Sequence, residues 1–467
     1  MSEVIRGFLI DSARCLEKRS SYRKLIVEAA SRGINTLIWH FTDDQGCSLH
    51  FACAPEIASP HAYTKSEMKA LVRFAQRHGI TLIPELESLG HSRYLTNHPR
   101  FHHLLESEGA FTAICPVAPE TRSIIRKLLR EVAEVFDGPW IHVGLDEVRL
   151  GEHPLTREAL RERSEREIVA DYVNFLHREV TALGRRMIIW GEHRTCTQNF
   201  LPLVPQDIII ADWEYGKNVE PTQVTHFLSL GFDVLLCPAL ITYDQPFLSG
   251  TQLGLANIRS MSRHQSLRGP EAKVLGIVTT LWTPTRYFHE AQWPGIFLAT
   301  ELMQDAEVEL TGAIRRYLED FHAMADVPDE LVQAFLQMME MAPLRQPYLT
   351  LLQGGAVNSA TRRHLQRQWP EWTHGIRVLT KCRPLIRKNR AAYRTVVLAL
   401  RFLAFLEERS LSDNPMPERA RRFLTLLEQQ WDRERHADDP RKYSTCFSFD
   451  RAEHLLLSFR ESLEAGG

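Results

Sequence analysis

Short apolar runs alternate with longer amphipathic segments along the first two thirds of the chain. The runs are four to nine residues long and rich in aliphatic and aromatic residues, which is typical of strands buried on both faces. The segments between them, such as 21–33 and 66–79, repeat apolar residues every three or four positions, which indicates helices packed on one side. The apolar runs lie at 8–11, 35–40, 80–87, 140–147, 186–192, 208–214, 233–240 and 274–282.

Eight strand–helix units in about 300 residues predict an α/β fold of the (β/α)8 TIM-barrel type. The structural alternative is a doubly wound open sheet, but no glycine-rich GxGxxG turn follows the first strand. Polar and aromatic residues at the carboxyl ends of nearly every run also favour the barrel, because these ends meet at one mouth. Those ends carry Asp11, His40, Glu85, Glu87, Asp146, Glu147, Trp190, Glu192, Trp213 and Trp282.

The pattern from about residue 305 onward is helical, with no strand signal. We therefore predict a catalytic barrel over residues 1–305 and an α-helical C-terminal domain over 306–467. The stretch 362–401 contains eleven Lys and Arg residues and a single acid, Glu371. It is either a binding surface for an acidic partner or the solvated face of packed helices, and the second is more common. The helical region could also form a homodimer or cover the mouth.

Composition narrows the class of protein only a little. The 467 residues are 44 % hydrophobic and 24 % charged, with a net charge of −2, so bulk charge favours neither nucleic acid nor anionic membrane as a partner. The first residues do not resemble a signal peptide, and the longest apolar stretch, 395–406, is too short to cross a bilayer and contains Arg401. Eight cysteines without a CxxC pair predict neither a zinc site nor a disulfide framework, so we expect a reduced cytoplasmic setting.

The segment PWIHVGLDEVRLG (139–151) places Asp146 and Glu147 side by side at the end of an apolar strand. If strand alternation holds through 140–146, Asp146 shares a face with His142 and points away from the apolar side. Two carboxylates at a barrel mouth suit glycoside hydrolysis, which protonates a leaving oxygen and stabilises positive charge at carbon.

Tryptophans strengthen this interpretation because four of them fall on four different runs. Aromatic faces pack well against the apolar faces of sugar rings. One such tryptophan would more often belong to the core, but three at or near strand ends favour a carbohydrate pocket. The four are Trp39, Trp190, Trp213 and Trp282.

The stretch HVGLDE (142–147) resembles the H-x-G-x-D-E motif of family 20 glycoside hydrolases, the β-N-acetylhexosaminidases. Five further stretches resemble family motifs in the same order, so the resemblance covers about residues 5–305. They are IRGFLIDSAR (5–14), NTLIWHFTDDQG (35–46), IPELESLGHS (83–92), PALITY (238–243) and LGIVTTLW (275–282).

The resemblance implies retaining, substrate-assisted hydrolysis of a terminal β-N-acetylhexosaminide, in which the 2-acetamido carbonyl attacks the anomeric carbon to form an oxazolinium intermediate. It implies that Glu147 is the general acid and then the base, that Asp146 accepts the acetamido N–H, and that Tyr243 donates to the acetamido carbonyl. We expect no cofactor, and we expect no metal because no strand end assembles a recognisable set of metal ligands. The remaining implied contacts are Arg6 to ring hydroxyls, His91 and His142 supporting the acids, and Trp190, Trp213 and Trp282 walling the acetamido pocket.

The chain departs from the family at several positions. Pro284 stands where the family has a glutamate two residues after the last-strand tryptophan, and Asp244 follows Tyr243 directly. Glu87 replaces an aspartate, and Leu145 replaces a smaller residue. The missing glutamate helps the family hold the hydroxyls at C4 and C6. We therefore expect weak discrimination at C4, with N-acetylgalactosaminides cleaved as well as or better than N-acetylglucosaminides.

The barrel motifs begin directly, without the small α+β domain that often precedes them in the family. This arrangement resembles the hexosaminidase D-type branch, which favours galactosaminides and includes nucleocytoplasmic enzymes.

Other functions and roles stay open from the residues alone. A metal-dependent barrel hydrolase, such as an amidohydrolase or deacetylase, would want an H-x-H on the first strand, which reads FLIDSAR. A non-catalytic sugar-binding protein would have no need of a general acid. Asp43 and Asp44 with His40 could hold a metal, although a loop and helix-capping cluster is more common. His142 and Arg6 could each be structural.

Overall fold

The computed structural model describes residues 4–107, 112–191, 200–241, 252–282, 284–340, 350–411, 416–435 and 454–464. The chain forms two compact units. The barrel unit comprises Met1–Glu214, Val219–Pro238 and Arg263–Thr280, and the helical unit comprises Tyr215–Asn218, Ala239–Ser262 and Leu281–Gly467. The domain boundary that the sequence places at residue 305 stays a prediction, although the helical unit already includes Tyr215–Asn218, Ala239–Ser262 and the chain from Leu281 onward.

Eight parallel strands close into a barrel, as the sequence predicts. Each pairs with the next along the chain, and the eighth returns to pair with the first. Apolar residues dominate these strands and are almost wholly buried, as expected for a parallel sheet covered by helices. The strands are β1 (Ile5–Asp11), β2 (Thr36–His40), β3 (Thr81–Glu85), β4 (Trp140–His142), β5 (Arg186–Gly191), β6 (Ile209–Asp212), β7 (Asp233–Leu236) and β8 (Val274–Leu281).

The strand register places four polar residues in one row at the carboxyl end of the barrel. Asp11 pairs with His40, His40 pairs with Glu85, and Glu85 pairs with His142. All four are buried, and the loops that follow these strands begin directly beyond them.

Local sequence signals mark the ends of several helices of the barrel unit. Capping boxes at Thr64 and Ser164 start two of them. Gly79 and Gly184 follow two helix ends at φ of 74° and 73°, and a Cβ there would meet nothing within 4 Å, so backbone conformation alone explains glycine. These helices are α1 (Arg19–Ala30), α2 (Lys65–Arg77), α3 (Arg93–Thr96), α4 (Pro119–Val135), α5 (Pro154–Ala159), α6 (Glu165–Ala182) and α7 (Thr222–Ser229).

The C-terminal region is helical, as predicted. A short strand, Ala239–Ile241, also belongs to the helical unit. Within the described ranges, no helix is both long enough and apolar enough to cross a membrane. The helices are α8 (Gln252–Ser262), α9 (Trp293–Gln304), α10 (Leu310–Arg316), α11 (Asp329–Glu340), α12 (Ser359–Cys382), α13 (Arg390–Leu411), α14 (Pro417–Glu434) and α15 (Leu455–Glu464).

The basic stretch 362–401 covers α12, the following turn and half of α13. Every one of its eleven Lys and Arg residues is exposed. The opposite sides of the two helices are buried, with Trp372 on α12 and Tyr393 on α13 in the core. The stretch is therefore the solvated face of packed helices, and a partner for it stays a hypothesis.

Candidate active site

The segment Gly144–Glu147 leaves β4 as a turn, so the predicted strand over 140–147 is wrong beyond His142. Gly144, Leu145 and Glu147 have φ of 71°, 84° and 52°. Such angles end strand pairing, and residues other than glycine rarely adopt them. The expected alternation of faces therefore does not extend to Asp146. Backbone strain of this kind is concentrated at functional sites.

Two glycines let the loops after β3 and β4 pack closely. A Cβ on Gly144 would collide with the Glu87 carboxyl group, and a Cβ on Gly90 would collide with the carbonyl oxygen of Asp146. The turn that carries the two acids is thus held against the β3 loop from both sides.

His91 bridges the paired acids and a second pair of carboxylates. Its Nε2 lies 3.2 Å from Glu147 Oε2 and 3.5 Å from Asp146 Oδ2, and its Nδ1 lies 3.5 Å from Asp44 Oδ2. Burial acts to lower the pKa of His91, but the charges of Asp146 and Asp43 outweigh it and raise this pKa well above the usual value. His91 is therefore an imidazolium at neutral pH.

That imidazolium acts in turn on Asp146. Burial acts to raise the pKa of Asp146, but the charge and hydrogen bond of His91 lower it. Asp146 therefore remains ionised. Its Oδ1 is buried and has no hydrogen-bond partner in the part of the chain that the structure describes. Since a buried acceptor without a donor is unfavourable, this oxygen suits a ligand N–H.

A second histidine, His40, ends β2 and contacts carboxylates on β3 and on the loop that follows β2. Its Nε2 lies 3.0 Å from Asp43 Oδ2, its Nδ1 lies 3.0 Å from Glu85 Oε2, and Trp190 donates its indole N–H to Glu85 Oε1 at 2.7 Å. Burial acts to lower the pKa of His40, but Glu85 and Asp43 raise it well above the usual value. His40 is thus a buried cation held between two carboxylates.

Arg14 adds a fixed positive charge to the same network. Its guanidinium lies 3.0 Å from Asp11 Oδ2 and 2.8 Å from Asp43 Oδ2. Burial acts to raise the pKa of Asp43, but Arg14 and His91 hold it well below its usual range. Asp44 accepts the backbone N–H of Arg93 at 3.0 Å, at the start of α3, which is a helix-capping contact of the kind expected for this one residue.

His142 and Glu87 complete the floor of the site as neutral groups. His142 Nδ1 accepts the N–H of Gly144 at 3.1 Å, which assigns the ring proton to Nε2, and burial lowers its pKa. Burial, reinforced by Asp146, raises the pKa of Glu87 well above the usual value. The site thus combines an ionised Asp146 with a protonated Glu87.

The three tryptophans predicted to line the pocket differ in their burial and in their contacts. Trp190 is 1 % exposed and packs against His142 at 4.5 Å between ring centroids, so it supports Glu85 from inside. Its role as a pocket wall stays a prediction. Trp213 follows β6 and is partly exposed. Trp282 follows β8 and donates its indole N–H to Tyr215 at 2.8 Å.

Arg6 and Tyr243 remain untested. Arg6 lies at the amino-terminal end of β1, five residues before Asp11, which is about 16 Å along an extended strand. Its side chain would have to run along the barrel interior to reach the mouth, so hydroxyl binding stays a prediction. Tyr243 lies outside the described residues, as do Asp244 and Glu192.

Sequence reasoning missed the supporting network. The sequence marks His40 and Glu85 as strand-end residues and His40 as a possible metal ligand with Asp43 and Asp44, but it assigns no role to Arg14. Their buried pairing follows from strand register, which places Asp11, His40 and Glu85 in one row. The D-x-x-R spacing after β1 was the one available signal, because it places Arg14 beside Asp11.

Groups of potential metal ligands lie within this same network. His40, Glu85 and Glu87 form one, and His91 belongs to two more, with Asp43 and Asp44 and with Asp146 and Glu147. The donor atoms of His40 and His91 already face carboxylates of the protein. The arrangement is that of an ion-paired acid cluster, and metal independence stays a prediction.

Comparison with known proteins identifies a family. The model of the family described as glycosyl hydrolase family 20, catalytic domain, matches residues 4–301. The chain is 26 % identical over 329 residues to a beta-hexosaminidase of Vibrio furnissii, covering 59 % of this chain and 52 % of the relative. It is 28 % identical over 266 residues to a beta-hexosaminidase subunit beta of Sus scrofa, covering 51 % and 48 %. The chain spans about half the length of these relatives.

Solved structures share the fold. A GH20 exo beta-N-acetylglucosaminidase from Vibrio harveyi, in complex with N-acetylglucosamine, matches with a TM-score of 0.54 and 24 % identity, covering 68 % of this chain and 56 % of that one. A Flavobacterium johnsoniae chitobiase matches with a TM-score of 0.56 and 16 % identity, covering 99 % of this chain and 77 % of that one.

Proposed function

The chain belongs to glycosyl hydrolase family 20, and from this premise we propose that it is a retaining exo-β-N-acetylhexosaminidase. Its substrate would be a glycan or glycoconjugate ending in β-linked GalNAc or GlcNAc. The observation that carries the proposal is the strained turn that holds Asp146 and Glu147 against His91, with one buried oxygen of Asp146 unpaired among the described residues.

The first step of the proposed reaction uses both acids. The acetamido carbonyl oxygen bonds to the anomeric carbon while the glycosidic C–O bond breaks, and Glu147 gives its proton to the departing oxygen. Asp146 accepts the acetamido N–H through Oδ1 and faces the positive charge that spreads over the oxazolinium ring. Asp146 is suited to this because the charge of His91 lowers its pKa and keeps it ionised.

The second step returns the proton. Water adds to the anomeric carbon, Glu147 takes a proton from it, and the acetamido group leaves as a neutral carbonyl. Two inversions at one carbon give net retention. Tyr243 and the three tryptophans Trp190, Trp213 and Trp282 enter this scheme only through the family resemblance.

The test compares two substrates and two variants. The 4-nitrophenyl β-N-acetylhexosaminides should be hydrolysed, while the corresponding plain β-hexosides should be nearly inert, because they lack the internal nucleophile. Asp146→Asn should lower kcat/KM by a large factor because it removes the charge, whereas the exposed Asp137→Asn should not. Comparable rates on both sugars would contradict the mechanism. Activity lost to a chelator and restored by zinc would favour the metal-dependent alternative.

A further inference from the structure

Two short strands outside the barrel connect the parts of the candidate site. Leu105–Ser107 and Ala113–Ile114 pair as an antiparallel ribbon in the connection between β3 and α4. We call these two strands, with the Glu106 side chain and the adjoining Thr112, the Glu106 ribbon.

One side of the Glu106 ribbon holds the loop that follows the catalytic pair. Glu106 is buried, and its Oε1 accepts the backbone N–H groups of Gly151 at 2.7 Å, Glu152 at 3.1 Å and His153 at 3.3 Å. Its Oε2 accepts the hydroxyl of Thr156 at 2.5 Å. Glu106 accepts all four of these hydrogen bonds, which fits a carboxylate at this position. Bonds to a charged acceptor are stronger than neutral ones, so the loop is firmly held.

The other side of the ribbon holds the loop that carries His91. Ile114 donates its N–H to the carbonyl of Leu89 at 2.9 Å, and Ala113 bridges to Gly90. The next residue, His91, has φ of 45°. The hydroxyl of the buried Thr112 donates to Asp44, which faces His91 Nδ1.

These contacts link three separate segments through one element. Glu147 lies four residues before Gly151, His91 follows Gly90, and Asp44 receives the Thr112 hydroxyl. Glu147 and His91 both have positive φ, so neither position is maintained by ordinary backbone preference. An external restraint on both loops is what such a geometry requires.

We propose that the Glu106 ribbon is a positioning element for Glu147, and that Glu106 and Thr112 are its two positioning residues. The inference rests on the proposed function. By tying the loop after Glu147 to the loop of His91, the ribbon sets the direction in which Glu147 delivers its proton. A displacement of about 1 Å in such a group can lower a rate a hundredfold.

Leaving-group dependence distinguishes positioning from plain structural support. A 4-nitrophenolate leaves with little help from an acid, whereas an alkyl or sugar alkoxide needs the proton of Glu147. Glu106→Ala should therefore lower kcat/KM at least tenfold more on a β-N-acetylhexosaminide with a sugar leaving group than on the 4-nitrophenyl glycoside. Glu106→Gln, which keeps the shape and folds more readily, should show the same selectivity to a smaller extent. Thr112→Val should show it as well, because it removes only the hydroxyl donor.

The chain offers a matched control. Glu131 on α4 is also a buried carboxylate, and it accepts the backbone N–H groups of Ala52 at 2.7 Å and Cys53 at 2.8 Å. Glu131→Gln should reduce thermal stability as Glu106→Gln does, but without selectivity between the two leaving groups.

The possible outcomes distinguish failure of the positioning role from failure of the proposed function. Equal losses on both substrates in all three ribbon variants, tracking the loss of Tm, would overturn the positioning role and leave the proposed function intact. A wild-type protein that hydrolyses neither substrate would overturn the proposed function, and the positioning role with it. Selective loss in the ribbon variants but not in Glu131→Gln is the expected result.

Discussion

His91 in the barrel unit and His454 in the helical unit are almost equally buried, at 7 % and 1 % exposed, yet their pKa values move in opposite directions. Burial lowers both. Around His91 the carboxylates of Asp146 and Asp43 reverse the effect, whereas around His454 the charge of Arg435 adds to it and brings the pKa to about 3.

Two buried glutamates show the same contrast. Burial acts to raise the pKa of both Glu85 and Glu407. The charge of His40 reverses this at Glu85, so its pKa is lowered, but on α13 burial dominates and raises the pKa of Glu407 to about 8. Depth of burial therefore does not identify a site in this molecule. A cluster of several carboxylates with two histidines does, and it occurs at the mouth of the barrel.

Removing one carboxyl group from each unit should break the contrast most strongly. We expect Glu147→Gln to lower kcat/KM by about 10²–10⁴ on substrates with poor leaving groups, because it removes general acid–base help. Glu407→Gln should leave kcat/KM unchanged at pH 7, since it replaces a neutral group by a neutral group of the same shape. Near-normal turnover of a natural-type glycoside by Glu147→Gln would refute the assignment.

Two glycines with the same backbone angle sharpen the comparison between a packed turn and an open helix end. Gly144→Ala should abolish most activity, because a Cβ at φ 71° would collide with Glu87 under the catalytic turn. Gly184→Ala, at φ 73° with nothing within 4 Å, should cost only about 1 kcal/mol of stability and leave kcat unchanged. Steady-state kinetics and urea unfolding of the two variants measure the difference. Similar kinetic losses in both would mean that backbone strain, and not the Glu87 contact, decides.

The neutral Glu407 should make stability depend on pH. The folded state keeps this proton up to about pH 8, while the unfolded chain releases it near pH 4.5, so the unfolding free energy falls as pH rises between these values. Between pH 6.5 and 8 the loss would be about 1.6 kcal/mol. Glu407→Gln should remove this contribution. Urea unfolding of the wild-type protein and of Glu407→Gln at several pH values separates the contribution of Glu407 from that of the histidines. Parallel pH profiles for the two proteins would contradict the prediction.

The smallest expected effect concerns the choice of sugar. Pro284 begins a buried 3₁₀ turn after β8 and offers no side-chain hydrogen bond where the family has a glutamate. We therefore expect kcat/KM for N-acetylgalactosaminides to equal or exceed that for N-acetylglucosaminides, with less than tenfold, or about 1.4 kcal/mol, between them. A strong preference for the gluco epimer would mean that another residue holds the C4 hydroxyl.

The sequence alone predicts the periodic elements of the fold and the residues that belong to motifs. Eight strands, the helical C-terminal region and the approach of His91 to the Asp146–Glu147 pair all follow from patterns that are local or shared with a family. The turn at Gly144–Glu147 could not be predicted, because its φ angles depend on Glu87 and Asp146 packing against glycines from another loop. Strand periodicity alone extends β4 through the motif.

Long-range polar contacts are the second feature that the sequence does not predict. Glu106 lies 45 positions before Gly151, and nothing near either residue in the sequence marks the contact. Trp190 lies near the end of β5, and its indole N–H donates to Glu85, 105 positions away in the sequence.

The exposed basic face of α12 and α13 makes the net charge of −2 a poor guide to how the protein behaves on charged media. Screening in 0.15 M salt acts over about 8 Å, so a resin bead senses the nearest face and not the sum over the molecule. At pH 7 and about 0.15 M salt the protein should therefore be retained by a cation exchanger through this face, and Arg363→Glu with Arg377→Glu should elute earlier. A molecule held this way would be immobilised in a defined orientation through its helical unit.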